Sequence, residues 1–186
     1  MLVLYESAAG YALFKVSDES KLSNPSEIYK DFDTAEKAAG MVKLKAFHKF
    51  TDTAEAVAAA TGLVESKLSK GLKKFLKKNA VGGDSLAIAD SKMGQVIKDK
   101  LNIQCVNDDS SNEIIRGIRN QLHSLVGEVS PDELRSYNLG LAHSLSRYKL
   151  KFSPDKVDTM IVQAINLLDE LDKEVNIYAM RVREWY

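Results

Sequence analysis

The stretch from Pro154 to Tyr186 constrains this chain most. Its apolar residues fall at Val157, Ile161, Ala164, Leu168, Leu171, Val175, Tyr178, Val182 and Trp185, in unbroken steps of four and three. Such a repeat is the seam of a helix that packs lengthwise on another helix. Ser153 is placed to cap its first N–H groups, Pro154 suits the first helical position, and Asp155 and Asp158 sit where the helix dipole favours negative charge. At about 1.5 Å per residue the helix would extend roughly 50 Å, more than the width of a domain of this size. Part of the seam must therefore lie against something else.

The preceding helix has an equally clear start. Ser130-Pro131-Asp132-Glu133 combines an N-cap, a first-turn proline and a capping glutamate, and Leu134, Tyr137, Leu141, Leu145 and Tyr148 mark one face. The connection at Phe152-Ser153-Pro154 is short enough to force the two helices antiparallel, as a hairpin of unequal arms. Before it, Ser110 with Glu113 reads as a capping box opening a helix whose face is Ile114, Ile115, Ile118, Leu122 and Leu125 and whose end is Gly127.

Strand character is confined to the first part of the chain. Leu2–Tyr5 and Tyr11–Val16, separated by Ser7-Ala8-Ala9-Gly10, predict a β-hairpin. Residues 26–39 predict one broken helix or two short ones, and in 41–50 the alternation of Val42, Leu44 and Ala46 with Lys43 and Lys45 predicts a half-wet strand. A helix over 51–61 is followed, after Gly62, by a second running to Asn79, with Val64, Leu68, Leu72, Phe75 and Leu76 on one face and Lys67, Lys70, Lys73, Lys74, Lys77 and Lys78 crowding the others. Strands at 85–89 and 102–106 around a helix at 91–100 complete a β-α-β alternation. The expected fold class is α+β overall: a small N-terminal α/β domain at residues 1–109, then an antiparallel helical, coiled-coil domain at 110–186.

No pattern for catalysis, metal or cofactor binding emerges. His48, His123 and His143 lack partners at metal-ligand spacing, and the sequence holds neither a Walker motif, nor GxSxG, nor HExxH. Gly82-Gly83-Asp84 reads as a turn, and Asp169, Glu170, Asp172 and Glu174 scatter around an outer helical surface. Cys105, the sole cysteine, fits a reducing compartment and reads as a packed strand residue. No apolar run approaches the roughly 20 residues needed to cross a bilayer, and the N-terminus lacks a signal-peptide pattern, so an intracellular protein is expected. Formal net charge is zero, with every arginine beyond residue 115. The lysine helix reads as a solvated face or as an electrostatic contact for phosphates or an acidic partner. Arg147, Lys149 and Lys151, interleaved with Tyr148, Leu150 and Phe152 at the hairpin tip, read equally as a nucleic-acid contact and as the closure of the hairpin core.

The segment from Gly140 through Ser153, the following Asp155–Ile165, and the ending Arg181-Val182-Arg183-Glu184-Trp185-Tyr186 closely resemble the Nop family, the core scaffolds of box C/D small nucleolar ribonucleoproteins. Leu2–Glu6, Gly10–Lys15 and Asp52–Ala56 lean to one of its two eukaryotic paralogues. The resemblance implies a non-catalytic nucleolar protein of the nucleus, active in ribosome biogenesis. Its α/β domain would hold the methyltransferase fibrillarin, and its coiled coil would pair with the sister Nop scaffold through Ile161, Ala164, Leu168, Leu171, Val175 and Tyr178. Because the sequence stops at Tyr186, it implies an N-terminal plus coiled-coil fragment without the Nop domain that carries most of the grip on box C/D guide RNA. The alternative is a direct RNA-binding module that uses the lysine helix and Arg147, Lys149 and Lys151.

Overall fold

The computed structural model describes residues 1–80, 83–127, 129–150 and 156–185. Strands β1 (Leu2–Ser7) and β2 (Gly10–Val16) form the expected antiparallel hairpin, with Leu2 opposite Lys15 and Tyr5 opposite Ala12. Strand β3 (Val42–Lys49) adds antiparallel to β2, with a register irregularity between Leu13 and Phe14. On the other side of β1, β4 (Leu86–Ala87) and β5 (Cys105–Val106) pair in parallel, giving the order β3-β2-β1-β4-β5.

Near-continuous apolar runs in β1 and β2 mean burial on both faces of the sheet. One face packs Val3, Tyr5, Phe14, Val16 and Val42 against two 3₁₀ segments and three helices. These are the 3₁₀ turns Glu19–Ser23 and Pro25–Phe32 and helices α1 (Ala35–Met41), α5 (Asp109–Asn120) and α6 (Leu122–Val126). The opposite face packs Leu2, Leu4, Tyr11 and Leu13 against α2 (Thr53–Val64), α3 (Lys70–Asn79) and α4 (Ser91–Leu101).

Local chemistry explains two departures from the expected elements. Helix α2 runs through Gly62 to Val64, and α3 begins only at Lys70. The Gly62 and Thr61 carbonyls accept from the N–H groups of Lys67 and Glu65, Ser66 takes a left-handed φ of 51°, and Ser69 Oγ then caps α3 by accepting from Leu72 N at 3.1 Å. Val64 consequently ends α2 exposed instead of joining the apolar face of α3. Helix α5 is capped by Asp108, which accepts from Ser111 N at 2.7 Å, and not by Ser110. The Ser110 hydroxyl is buried and donates to the Leu22 carbonyl at 2.7 Å, fastening α5 to the 3₁₀ segment. Gly117 is required where α5 crosses Phe32, because a Cβ there would fall 2.3 Å from the ring.

Helix α7 (Pro131–Lys149) opens with the predicted reciprocal capping box, Ser130 and Glu133 each accepting the other's N–H at 3.2 Å. Lys49 bridges to Glu133 at 3.2 Å and sits 5.6 Å from the Tyr137 ring. The chain divides into compact units Met1–Leu141 and Ala142–Tyr186. Ile114, Ile115, Ile118, Leu122 and Val126 complete one core of the first unit, where Leu134 and Tyr137 also pack. The second unit contains the end of α7 and α8 (Val157–Trp185), a helix of 29 residues and roughly 44 Å.

Candidate interaction surfaces

The long predicted helix forms, but no residue of it reaches full burial. None of its 29 residues is buried, and seam positions Ile161, Leu168, Leu171, Val175 and Tyr178 are 46–64% exposed. Ala164 is exposed as well. Met160, Gln163 and Leu167, on successive turns, are its best-covered residues. At 100° per residue these three define a line beside the seam, so the apolar arc is wider than one neighbour needs. Val162, Ile165, Ile177 and Met180 are exposed beyond it. Asp169, Glu170, Asp172 and Glu174 lie on the same turns with a single lysine, Lys173, which pairs with Asp169 at 2.5 Å. A second copy of this helix would set acid against acid there.

Of the predicted tip contacts, Arg147 is exposed near the end of α7 and Lys149 is its last residue. Lys151 and the turn Phe152-Ser153-Pro154 lie outside the described residues.

In the first unit, Lys70, Lys73, Lys74, Lys77 and Lys78 line one shallow depression on α3, all exposed and none in an ion pair among the described residues. Leu72, Phe75 and Leu76 are buried on the opposite side of the helix. A second depression, of about 550 Å³, adjoins the first along Lys74 and Lys78 and is otherwise lined by Ala46, Phe47, His48, Glu55, Gly71, Phe75 and Asn79. His48 stacks on Tyr11 with ring centres 6.4 Å apart and meets Phe75 at 6.3 Å, while its Nε2 lies 3.3 Å from Glu55. The sequence separates His48 and Tyr11 from the lysines by more than a helix; β3 and α3 bring them together.

Glu6 is the group that sequence reading missed. Period-two alternation puts it on the same face as Leu2 and Leu4, which was the available signal. Its carboxyl lines clefts of about 510 and 200 Å³, both also walled by Tyr5, Leu63 and Arg119, and its Oε1 is buried with no hydrogen-bond partner among the described residues. Burial, reinforced by the neighbouring Asp90 charge, pushes its pKa up from 4.5 to about 7. Cys105 is half-buried in β5, and burial pushes its thiol up, away from thiolate chemistry. Among the described residues no group of three or more His, Cys, Asp or Glu side chains could hold a metal ion, and no helix is long and apolar enough to cross a membrane.

The architecture is a mixed sheet clad on both faces, followed by a long helix with an exposed apolar seam. Residues 2–66 match the family model described as the NOP5NT (NUC127) domain. Over its whole length the chain is 58% identical to the probable nucleolar protein 5-2 of Arabidopsis thaliana, covering 35% of that relative. It is likewise 58% identical over 187 residues to nucleolar protein 58 of Homo sapiens, again 35% of the relative, and 56% identical over 190 residues to nucleolar protein 58 of Dictyostelium discoideum, 30% of the relative. The chain thus belongs to the nucleolar protein 58 (NOP5) family and spans about a third of the length of these curated relatives.

Proposed function

We propose that this chain is a non-catalytic scaffold of the box C/D small nucleolar ribonucleoprotein, resident in the nucleolus and serving ribosomal RNA processing and ribosome biogenesis. The sheet-bearing first unit holds fibrillarin. The α8 seam forms a coiled coil with the sister Nop scaffold through Ile161, Ala164, Leu168, Leu171, Val175 and Tyr178. Together they fix the methyltransferase over guide-paired RNA for 2′-O-methylation. Arg147, Lys149 and Lys151 add a secondary contact to the guide RNA.

The observation that carries this reading is the seam: five large apolar side chains in heptad register, each about half exposed or more, on a helix with no buried residue. Fully burying one Leu or Val contributes about 1.5–3 kcal/mol, so such a seam holds enough for stable pairing once a complementary helix covers it. The acids flanking Leu168 and Leu171 favour a sister with basic flanks over self-pairing. The test is to replace Leu168 and Leu171 with Gln and Val175 with Asn, and to measure sister binding by light scattering and fibrillarin binding by pull-down. Sister pairing should be lost with fibrillarin retained. Undiminished pairing would remove the seam assignment, and loss of fibrillarin would move its site to the helices.

A further inference from the structure

We propose that the edge of the first unit made by β3 and α3 binds a single-stranded nucleic acid, one base seated against His48 and the adjoining phosphates lying along Lys70, Lys73, Lys74, Lys77 and Lys78. This site is separate from the α8 seam and from Arg147, Lys149 and Lys151.

Geometry and charge carry it together. The five lysines recur at three- and four-residue steps, which places them on one face of α3, and their ammonium groups face solvent without acid partners among the described residues. Lysines alone would serve any anion. The second depression, sharing Lys74 and Lys78 as its rim, sets the chemistry apart, because the rings of His48 and Phe75 line it. His48 is a prepared stacking surface. Contacts with Tyr11, Phe50 and Phe75 fix its ring at the border of an aromatic cluster, and its side chain remains 41% exposed.

A flat base beside a phosphate chain matches that pairing of aromatic wall and lysine rim. An acidic peptide matches it poorly, because Glu55 lines the same depression and its carboxylate is held charged by the Thr51 N–H at 2.9 Å. That carboxylate repels a peptide acid yet accepts from the amino or imino groups of a base edge. Asn79, at the other end of the depression, spends one amide N–H on the Phe75 carbonyl at 3.0 Å, leaving its other N–H and its oxygen to a ligand. A duplex would keep its bases stacked away from the depression.

The experiment is fluorescence anisotropy with the whole chain and a fluorescein-labelled single-stranded RNA roughly ten nucleotides long, within the range such grooves cover. Lys74→Gln with Lys78→Gln should weaken binding and flatten the log affinity against log salt slope by about 1.4, roughly 0.7 for each phosphate contact on a single strand. His48→Ala should weaken binding roughly ten-fold with the salt slope unchanged, and His48→Phe, which keeps a stacking ring, should restore it. Circular dichroism confirms that each variant is folded. The proposal is overturned by absence of binding at low salt, by wild-type affinity in a folded His48→Ala variant, by displacement of the RNA equally well by polyglutamate or a duplex, or by loss of binding in Arg147→Gln alone.

Discussion

Strand β1 and helix α8 are built from the same aliphatic residues, yet Leu2, Val3 and Leu4 are at most 3% exposed while Leu168 is 60% exposed. In β1 the strand lies between two layers of helices, so both alternating faces meet apolar partners from within the chain. In α8 the apolar arc exceeds what its own unit covers, and its remaining free energy of burial is available to another molecule. The contrast separates residues that make the fold from residues left open to water.

The sharpest way to break this contrast is to cut into the sheet. Phe14→Ala should cost about 3–5 kcal/mol in a denaturant titration, since Phe14 is fully buried at the centre of one core. A cost below about 1 kcal/mol would mean that the face is not tightly clad. Next comes Glu6. Its folded-state pKa, about 7, lies above the ordinary 4.5, so the folded chain holds the proton more tightly; stability should be full below the ordinary value and should fall as pH rises toward 7. The loss is about 3 kcal/mol at most. Glu6→Gln should remove that slope, read as melting temperature between pH 4.5 and 7.5; an unchanged slope would place the titration elsewhere. Gly117→Ala should cost about 2 kcal/mol by driving a methyl group into the Phe32 ring, again by denaturant titration. Smallest is Leu168→Ala, expected within about 0.5 kcal/mol for the isolated chain because the side chain is open to water. A loss above 1 kcal/mol would show that α8 already buries its seam.

Legibility in the sequence followed the range of the interactions. The β1–β2 hairpin, the Ser130–Glu133 box and α8 could be read because their signals lie within a few residues of each other. The end of α2 could not, since a Gly62 that reads as a helix stop is overridden by Lys67 folding back onto its carbonyl. The helical pattern of α5 says nothing about what Ile114 and Ile118 will pack against, and that is the core beneath β1 and β2. Likewise the lysine helix was visible and its aromatic neighbour was not: His48 and Lys74 meet only through the packing of α3 on the edge strand.

The pairing of β1 with β4 has a consequence for the order in which the chain is made. β1 precedes its sheet partners along the chain, and it occupies the middle of the sheet with β4 as its second neighbour. Until residues 86–87 emerge, one edge of β1 has no strand beside it, and until α5 and α6 follow, Val3, Tyr5 and Phe14 lack much of their cover. A chain ending at residue 66, the span of the NOP5NT match, would keep the hairpin, β3 and α2 but none of these partners. The nascent N-terminal segment is therefore a long-waiting sticky edge, the kind of surface that chaperones shield, and folding of the sheet is set by the arrival of residues 86–126.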